Sequence, residues 1–599
     1  MQFHAVEMLA AWLRGVKRAV AWCRGFGVDD LVGVADAALM AGRGIVIRLM
    51  AALVSAGLVA LLFPPFPCGV LVWIALVPLL AALWSIDGEH AVRRGFLLGW
   101  LAGVVTFLIQ LRWVAVVSPL GLVVLASYLG LYWGVFGAYA SAWGNPWKPH
   151  ADPGHASLRG MMVTGFRHAA LWSGLEVLRG WVFTGFGWNA LGVAFHDSRV
   201  LAQSADLLGV AGLSMLPVFV QSVWLQSARR ARCGPSRVPG AAFLIAVALV
   251  AAAAGYGGFR IAAEGRRETQ RLKTLLVQIN IPQEAARQLW TAEEVHMAYE
   301  DETLRALDAL KRDPRSWPDW VMWPESALTG RILRAADGTW GAWRENDETI
   351  ARVRTAGEFH LIYGINELEA ESSADGMLTV REPGRAWNSL AVMPPEGGLQ
   401  TYRKHHLVVF GETIPFVDSV PLLKRIYEQQ AGVAYGGSFK PGESFDPLVV
   451  ATADGRSLAA IPTVCFEDTV PRLVRKFVRR GPQVMINVTN DGWFKESAAA
   501  AQHFANARFR AIELRRPMLR CANNGVSAAV DPTGSTAHPD TGVPQVITDA
   551  AGSHFTRGSL LAELDIPLDP PTTLYAVIGD WGVAVLAFIA LVRRGRRGG

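Results

Sequence analysis

Pro462-Thr463-Val464-Cys465-Phe466-Glu467 ends a strand-like run with a cysteine, an arrangement typical of a buried strand followed by a turn. Two other segments place a reactive side chain in a similar setting: Trp323-Pro324-Glu325-Ser326 and Tyr402-Arg403-Lys404-His405-His406-Leu407. Around them, short apolar runs such as 274–278 and 484–488 alternate with helical stretches. This alternation predicts an α/β domain over about residues 265–570.

A carboxylate, an ammonium group and a thiol are the side chains that acyl transfer through a thioester requires. A thiolate is the strongest nucleophile among the side chains at neutral pH, and a nearby lysine lowers the pKa of the thiol and stabilises an oxyanion. A glutamate takes the thiol proton and returns it to the leaving group. Each residue alone is weak evidence, because a single cysteine after a strand is more often an inert core residue.

The rest of the chain has the composition of a membrane protein. Of its 599 residues, 51% are hydrophobic and only 18% are charged, which is too apolar for an ordinary soluble protein. Stretches long enough to cross a bilayer predict seven spans, a large insert and an eighth span. The predicted spans are 45–63, 69–86, 95–117, 120–143, 161–183, 208–227, 241–258 and 574–592.

Basic residues cluster beside these spans, so the net charge of +6 indicates membrane topology and no nucleic-acid partner. Placing Arg93-Arg94, the 229–237 cluster and 593–597 in the cytoplasm leaves both termini inside and the insert outside. The predicted organisation is an amphipathic extension, a seven-span membrane domain, the α/β domain, the eighth helix and a basic tail: 1–44, 45–260, 265–570, 574–592 and 593–599. The extension suits a helix lying on a membrane surface, or a dispensable segment.

Two charges stand three residues apart inside the fifth predicted span, Glu176 and Arg179. An unpaired charge in a bilayer is costly, so we expect them to face each other or a polar cavity. A structural ion pair and a role in binding lipid headgroups both remain open. The five cysteines and the histidines lack metal-ligand spacing, and thiol chemistry needs no cofactor, so no metal or cofactor is predicted.

The three reactive segments resemble the nitrilase superfamily, which has a sandwich of two β-sheets flanked by helices and a Glu-Lys-Cys triad in this order. A narrower resemblance, to the apolipoprotein N-acyltransferase family, covers about residue 45 to the C-terminus. It rests on motifs at 275–283, 404–412, 465–467, 487–494 and 520–526, and in the membrane part at 176–180, 185–189 and 579–581. Val409 and Gly187 stand where that family commonly has proline. The implied fold is a polytopic helical domain of about eight spans plus a nitrilase-like α-β-β-α domain.

The resemblance implies a role for four residues of the triad region. Glu325 matches the general base and Cys465 matches the acyl-accepting nucleophile. Lys404 matches the group that stabilises the transition state. Glu412 matches a second carboxylate that supports the lysine.

Four more positions match residues that shape the family's site. Phe466 and Glu467 follow the nucleophile, where a backbone amide helps to hold the oxyanion. Trp493 matches an aromatic residue in a mobile lid. Trp290 matches an aromatic residue near the entrance, although extra residues after Gln283 disturb that alignment.

The implied activity is transfer of an acyl chain from a phospholipid, with phosphatidylethanolamine as the expected donor, to the N-terminal diacylglyceryl-cysteine of an apolipoprotein. The implied location is a bacterial inner membrane, with the catalytic domain in the periplasm. Two other readings remain open. One is a membrane-anchored amidase or nitrile hydrolase that uses water as the acceptor. The other is a non-catalytic scaffold or transporter.

Overall fold

The computed structural model describes residues 44–592, apart from 67, 149–156, 234–236, 285–286, 374, 383, 410, 415–421, 423, 426–427 and 430–437. The predicted extension and the basic tail therefore lie outside the described residues, except for Gly44. The described residues form a helical part up to Glu264 and an α/β part after it, which is followed by two short helices.

Within the described residues, eight α-helices precede the α/β part. In chain order, α1 to α8 are Gly44–Ala60, Val77–Trp84, Ala91–Gln110, Pro119–Ala142, Leu158–Arg179, Arg199–Ala202, Ala205–Ala231 and Val238–Glu264. Among the described residues, four of the helices, α3, α4, α7 and α8, are long and apolar enough to cross a membrane. The protein is thus a membrane protein, while the count of eight spans stays a prediction.

Four predicted spans differ from the helices that form. The third, 95–117, is α-helical only to Gln110, and the eighth, 574–592, divides into the helices Leu574–Ile578 and Trp581–Val592. Residues 69–86 do not make one helix, because a 3₁₀ turn at Gly69–Trp73 is followed by the separate helix α2. Pro78 lies in the first turn of α2, and proline disfavours helical geometry in the residue before it. The fifth helix ends at Arg179, short of the predicted residue 183, and Phe183 has a φ of 54°.

Glycines allow α3 and α4 to pack closely. A Cβ added at Gly99 would lie 2.4 Å from the carbonyl oxygen of Trp133, and one at Gly137 would lie 2.2 Å from that of Gly95. Small residues at a helix interface let two backbones approach, which is the main source of helix association in lipid. The spacing of these glycines therefore fixes the register of the two helices.

The α/β part contains two large β-sheets and a two-stranded hairpin. Strands β1 to β16 are Thr269–Gln278, Gln283–Glu284, Arg287–Gln288, Trp320–Met322, Arg331–Ala335, Trp340–Ala342, His360–Ser372, Leu378–Val380, Ala386–Met393, Gln400–Arg403, Leu448–Ala451, Ser457–Val464, Gln483–Thr489, Met518–Ala522, Ala528–Val530 and Gly558–Pro567. One sheet has the order β10-β9-β7-β4-β1-β16, with β5, β6 and β8 beside it, and the other has the order β11-β12-β13-β14-β15.

Helices cover the outer faces of both sheets. Helices α9 to α15 are Ala292–Leu310, Arg344–Arg354, Pro471–Val474, Ala498–Ala507, Phe509–Leu514, Leu574–Ile578 and Trp581–Val592. Apolar residues of both sheets share one core cluster, and the opposite face of the larger sheet packs against α9 and α10. The domain is therefore an α-β-β-α sandwich. Residues 498–514 form two helices, α12 and α13, with Arg508 between them.

Helix α12 carries polar side chains that join the sandwich to the membrane part. Gln502 accepts hydrogen bonds from the indole N–H groups of Trp113 at 3.1 Å and Trp188 at 3.0 Å. Its amide nitrogen donates to the carbonyl oxygens of Pro64 at 2.8 Å and Gln110 at 3.2 Å. One buried side chain thus satisfies four groups of the membrane part, and buried polar groups are costly when left unsatisfied.

We expect Gln502→Leu to destabilise the protein, because it leaves two indole donors and two carbonyl acceptors buried without partners. Each orphaned group costs about 1–3 kcal/mol. The measurement is the midpoint of thermal unfolding in detergent. Gln400→Leu is the matched control, since Gln400 makes its hydrogen bonds at an exposed sheet edge. Equal midpoints for the two variants would contradict the expectation.

Candidate active site

Glu325 lies just after β4, at the end of the larger sheet. The backbone turns sharply there, because Ser326 has a φ of 51°. A Cβ on Gly364 of the neighbouring β7 would lie 2.4 Å from the Cα of Glu325, so only glycine fits at that position. The Glu325 side chain is 7% exposed, and Oε1 accepts a hydrogen bond from Nδ2 of Asn388 at 2.7 Å.

Lys404 follows β10 and is held between two carboxylates. Its Nζ lies 3.0 Å from the Glu412 carboxylate and 3.5 Å from Oε1 of Glu325. Asn388 also donates to Glu412, at 2.5 Å, so its amide group bridges the two acids. Lys404 is 1% exposed, and although burial alone lowers the pKa of its ammonium group, the nearby carboxylates outweigh burial and raise it. Lys404 is therefore a fixed positive charge.

Cys465 occupies a strained turn at the end of β12. Its φ is 53°, a left-handed backbone conformation that residues other than glycine rarely adopt. A 3₁₀ turn, Cys465–Thr469, begins at this residue. Asn487 on the adjacent strand β13 donates to the Cys465 carbonyl oxygen at 3.1 Å. The strain and this hydrogen bond point the half-buried thiol out of the sheet end, toward Glu325.

The thiol does not have the lowered pKa that a neighbouring lysine alone would give it. Burial and the negative charge of Glu325 raise the pKa of Cys465, and they outweigh the opposing effect of Lys404. Burial also raises the pKa of Glu325, against the lowering effect of Lys404. The resting cysteine is therefore a protonated thiol, and its proton must move to a base before the sulfur can attack.

Glu467 ties the lysine segment to the cysteine turn. One oxygen, Oε1, accepts from the backbone N–H groups of His405 at 2.7 Å and His406 at 2.8 Å. The other, Oε2, accepts from the N–H of Val464 at 2.8 Å and the hydroxyl of Tyr402 at 2.9 Å. The carboxylate is fully buried, and burial raises its pKa to about 7.

Phe466 connects the membrane part to the cysteine turn. Its ring stacks on Trp188 at 6.0 Å and on Phe186 at 5.9 Å, both from the loop after α5. It also stacks on His406 at 5.7 Å. The residue that follows Cys465 thus packs directly against a membrane-domain loop.

Trp493 and Trp290, the two tryptophans predicted to shape the site, lie in different parts of the α/β part. Trp493 is half-buried in a 3₁₀ turn, Asp491–Phe494, whose neighbour Phe494 packs on Trp113 at 4.4 Å. Trp290 precedes α9 and packs on the outer core cluster of the larger sheet. The lid role of Trp493 and the entrance role of Trp290 stay predictions.

Glu176 and Arg179, the charged pair of the membrane part, border the same cavity. Glu176 and Arg179 both border a space of ≈ 440 Å³ together with Gln110, Tyr132 and Asn189. Oε1 of Glu176 accepts from Trp172 at 2.9 Å and from the N–H of Leu191 at 2.8 Å. The guanidinium of Arg179 lies over the ring of Phe107, 5.2 Å from its centroid. The role of the pair stays a prediction.

Asn388 is the contributor to this site that the sequence motifs did not reveal. Its side-chain amide bridges Glu325 and Glu412, and its backbone carbonyl oxygen accepts a hydrogen bond from the backbone N–H of Lys404 at 2.9 Å. The feature of the sequence that could have identified it is an amide side chain within the buried strand β9. A buried polar side chain in a strand requires partners, so it marks a site of functional interest.

Comparison with known proteins agrees with both halves of the fold. The family model of the apolipoprotein N-acyltransferase N-terminal domain matches residues 55–223, and that of the carbon-nitrogen hydrolases matches residues 276–565. The apolipoprotein N-acyltransferase of Geobacter metallireducens is 30% identical over 499 residues, covering 81% of this chain and 85% of the relative. The chain belongs to the apolipoprotein N-acyltransferase family.

Other apolipoprotein N-acyltransferases show the same extent of similarity. The Rhodopseudomonas palustris protein is 29% identical over 91% of this chain and 94% of its own length. The Bradyrhizobium diazoefficiens protein is 33% identical over 70% and 71%, respectively. The protein is therefore a membrane-bound acyltransferase with a carbon-nitrogen hydrolase domain.

We expect Glu467→Gln to slow the acyltransferase reaction by about ten- to a hundredfold, because a glutamine amide group cannot accept the two donors that face one carboxylate oxygen. The initial rate of acyl transfer to a diacylated lipopeptide, followed by mass spectrometry, measures the effect. Glu300→Gln is the matched control, since Glu300 is a buried carboxylate of α9 bonded to Thr349. A wild-type rate for Glu467→Gln would contradict the positioning role.

Proposed function

We propose that this protein acylates the N-terminal diacylglyceryl-cysteine of apolipoproteins by a ping-pong mechanism through a thioester on Cys465. The observation that carries the mechanism is the convergence of the three strand-end groups, with a protonated thiol facing Glu325 and Lys404 held beside both. The family supports the overall reaction. Glu325 is the base, Lys404 the oxyanion stabiliser and Glu412 the counter-ion of the lysine.

In the first half-reaction, Glu325 removes the thiol proton as the sulfur attacks the ester carbonyl of a phospholipid. The carbonyl oxygen becomes an oxyanion, which Lys404 and the backbone N–H of Phe466 stabilise. The C–O bond then breaks, Glu325 returns the proton to the leaving oxygen, and lysophospholipid departs. The acyl chain remains on the sulfur.

In the second half-reaction, the free amine of the apolipoprotein attacks the thioester. Glu325 takes a proton from the amine, the C–S bond breaks, and the proton returns to the sulfur. An amide and the original thiol result. Lys404 keeps its charge throughout, because Glu412 neutralises it at 3.0 Å independently of the state of Glu325.

A cleft between the two parts of the molecule supports a lipid substrate. It is bordered by Thr469 and Arg472 near the cysteine turn and by Val210 of α7. At its edge Trp181 lies 6.1 Å from Trp581, and both rings are exposed. Exposed tryptophans are typical of the level of lipid headgroups. A soluble amide would need no such opening toward the membrane.

The donor and the topology complete the proposal. Phosphatidylethanolamine is the acyl donor, and the protein crosses a bacterial inner membrane about eight times with both termini in the cytoplasm. The catalytic domain, residues 265–570, lies in the periplasm. The basic clusters near the spans support this orientation.

We expect the purified protein to gain one acyl mass on incubation with phosphatidylethanolamine, because the donor ester transfers its acyl group to Cys465. Hydroxylamine should remove the adduct, and Cys465→Ala should not form it. Intact-mass analysis measures both. Cys521→Ala is the control, since Cys521 is fully buried in the core.

Two outcomes would contradict the proposal. An adduct that persists in Cys465→Ala would place the chemistry elsewhere. Release of free acid without an N-acylated peptide, when a diacylated lipopeptide is supplied, would favour the amidase reading with water as acceptor.

We expect thioester formation to slow as pH falls, with an apparent pKa above that of an ordinary glutamate. Burial raises the pKa of Glu325, so its basic form disappears at a higher pH than that of an exposed glutamate. Single-turnover rates measured across acidic pH give the profile. Asn388→Ala should shift the midpoint further up, because the Asn388 amide stabilises the charged carboxylate. An unshifted midpoint in this variant would argue against Glu325 as the base.

A further inference from the structure

Behind the nucleophile turn lies a buried ring of four charged side chains that the proposed chemistry does not use. Its members are Asp468, Asp491, His503 and Arg520, and each is less than one-tenth exposed. They come from four different elements: the cysteine turn, the Trp493 turn, helix α12 and strand β14. We name them the charge ring.

The hydrogen bonds of the ring determine the protonation of its histidine. Nδ1 of His503 lies 2.7 Å from Oδ1 of Asp491, and Nε2 lies 2.8 Å from Oδ1 of Asp468. Ionised carboxylates only accept hydrogen bonds, so both ring nitrogens carry hydrogen and the side chain is an imidazolium. Burial lowers the pKa of His503, but the two carboxylates outweigh burial and raise it to about 9.

Arg520 contacts the same two carboxylates and lies against His503, with a terminal nitrogen 3.0 Å from Nδ1 of the imidazole. Its Nε lies 3.3 Å from Oδ2 of Asp468, and a terminal nitrogen lies 3.2 Å from Oδ2 of Asp491. Two cations therefore share two carboxylates, and the net charge of the ring is zero. Removing one charge would leave another buried without compensation, which is far more costly than removing a neutral contact.

The position of the ring relates it to the reacting groups. Asp468 lies three residues after Cys465 on the same short 3₁₀ turn, and Asp491 begins the turn that carries Trp493. The imidazole of His503 also lies 5.5 Å from Trp188, the membrane-domain residue that stacks on Phe466. The ring thus joins the cysteine turn, the tryptophan turn and the membrane loop.

We propose that His503, together with Arg520, is a positioning residue for the nucleophile: its balanced contacts with Asp468 and Asp491 hold the Cys465 turn at a fixed distance from the Trp493 turn. The inference rests on the proposed nucleophilic role of Cys465. The ring holds the two turns, and the negative charge of Asp491 also contributes to the raised pKa of Cys465.

The test is a charge-balance cycle in the full-length protein with phosphatidylethanolamine vesicles. His503→Gln leaves one excess negative charge in the ring, and Asp468→Asn leaves one excess positive charge. The double variant His503→Gln/Asp468→Asn is neutral again, with the glutamine N–H facing Asp491 and its oxygen facing the new amide. The measured quantities are the single-turnover rate constant of thioester formation and its amplitude, which counts competent sites.

We expect each single variant to lower the rate constant at least tenfold, and the double variant to recover to within a few-fold of the wild type. His296→Gln is the matched control, because His296 is a buried histidine held by two hydroxyl groups, those of Thr349 and Thr329. Its rate constant should not change. Single variants with the wild-type rate constant but a lower amplitude would mean that the ring is needed only for folding. That result would overturn the inference.

A second measurement applies if the single variants do not fold. In the wild type, thioester formation should fall as pH rises through about 9, where His503 loses its proton. The charged groups that face it are Asp468, Asp491 and Arg520. The double variant lacks this titration and should lack the alkaline loss. Equal alkaline profiles of the wild type and the double variant would overturn the inference. Absence of thioester in the wild type would instead reject the proposed function.

Discussion

The placement of a lysine ammonium between two buried carboxylates is the constraint on which the active site depends. Lys404 is almost fully enclosed, and its charge would be untenable there without Glu325 and Glu412. The two carboxylates have different environments because their neighbours differ. Glu412 is bound to the lysine and to the backbone N–H of Val408, whereas Glu325 also faces the thiol. In the proposed mechanism, Glu325 is therefore free to gain and lose a proton while Glu412 maintains the charge balance.

This balance requires three strand ends to stay in register, and the sandwich supplies that rigidity. Glu325, Lys404 and Cys465 follow β4, β10 and β12, which belong to both sheets. The two sheets share one core, so a shift of either sheet would separate the lysine from the thiol. Glu467 adds a direct connection between the lysine segment and the cysteine turn.

The sequence predicted the nitrilase-like sandwich, and the structure brings together the three side chains that the strand-end motifs singled out, because such motifs are local patterns. It did not predict the broken second span, where Pro78 interrupts the helix, or the split of α12 from α13 at Arg508. It also missed Asn388 and the charge ring. These depend on residues distant in the chain, which a pattern in one segment cannot reveal. The raised pKa of Cys465 has the same origin, since it reflects burial by the assembled domain.

The way Gln502 inserts into the membrane part has a consequence for handling this enzyme. Helix α12 presents an amide, Asn506 and several apolar residues to partners that exist only among the membrane helices. A catalytic domain excised for expression in water would expose that surface with its hydrogen bonds unmade. The sandwich therefore depends on the membrane part for these contacts. Solubility of a fragment would have to be engineered on the face of α12 that carries Gln502 and Asn506, with His503 of the same helix retained.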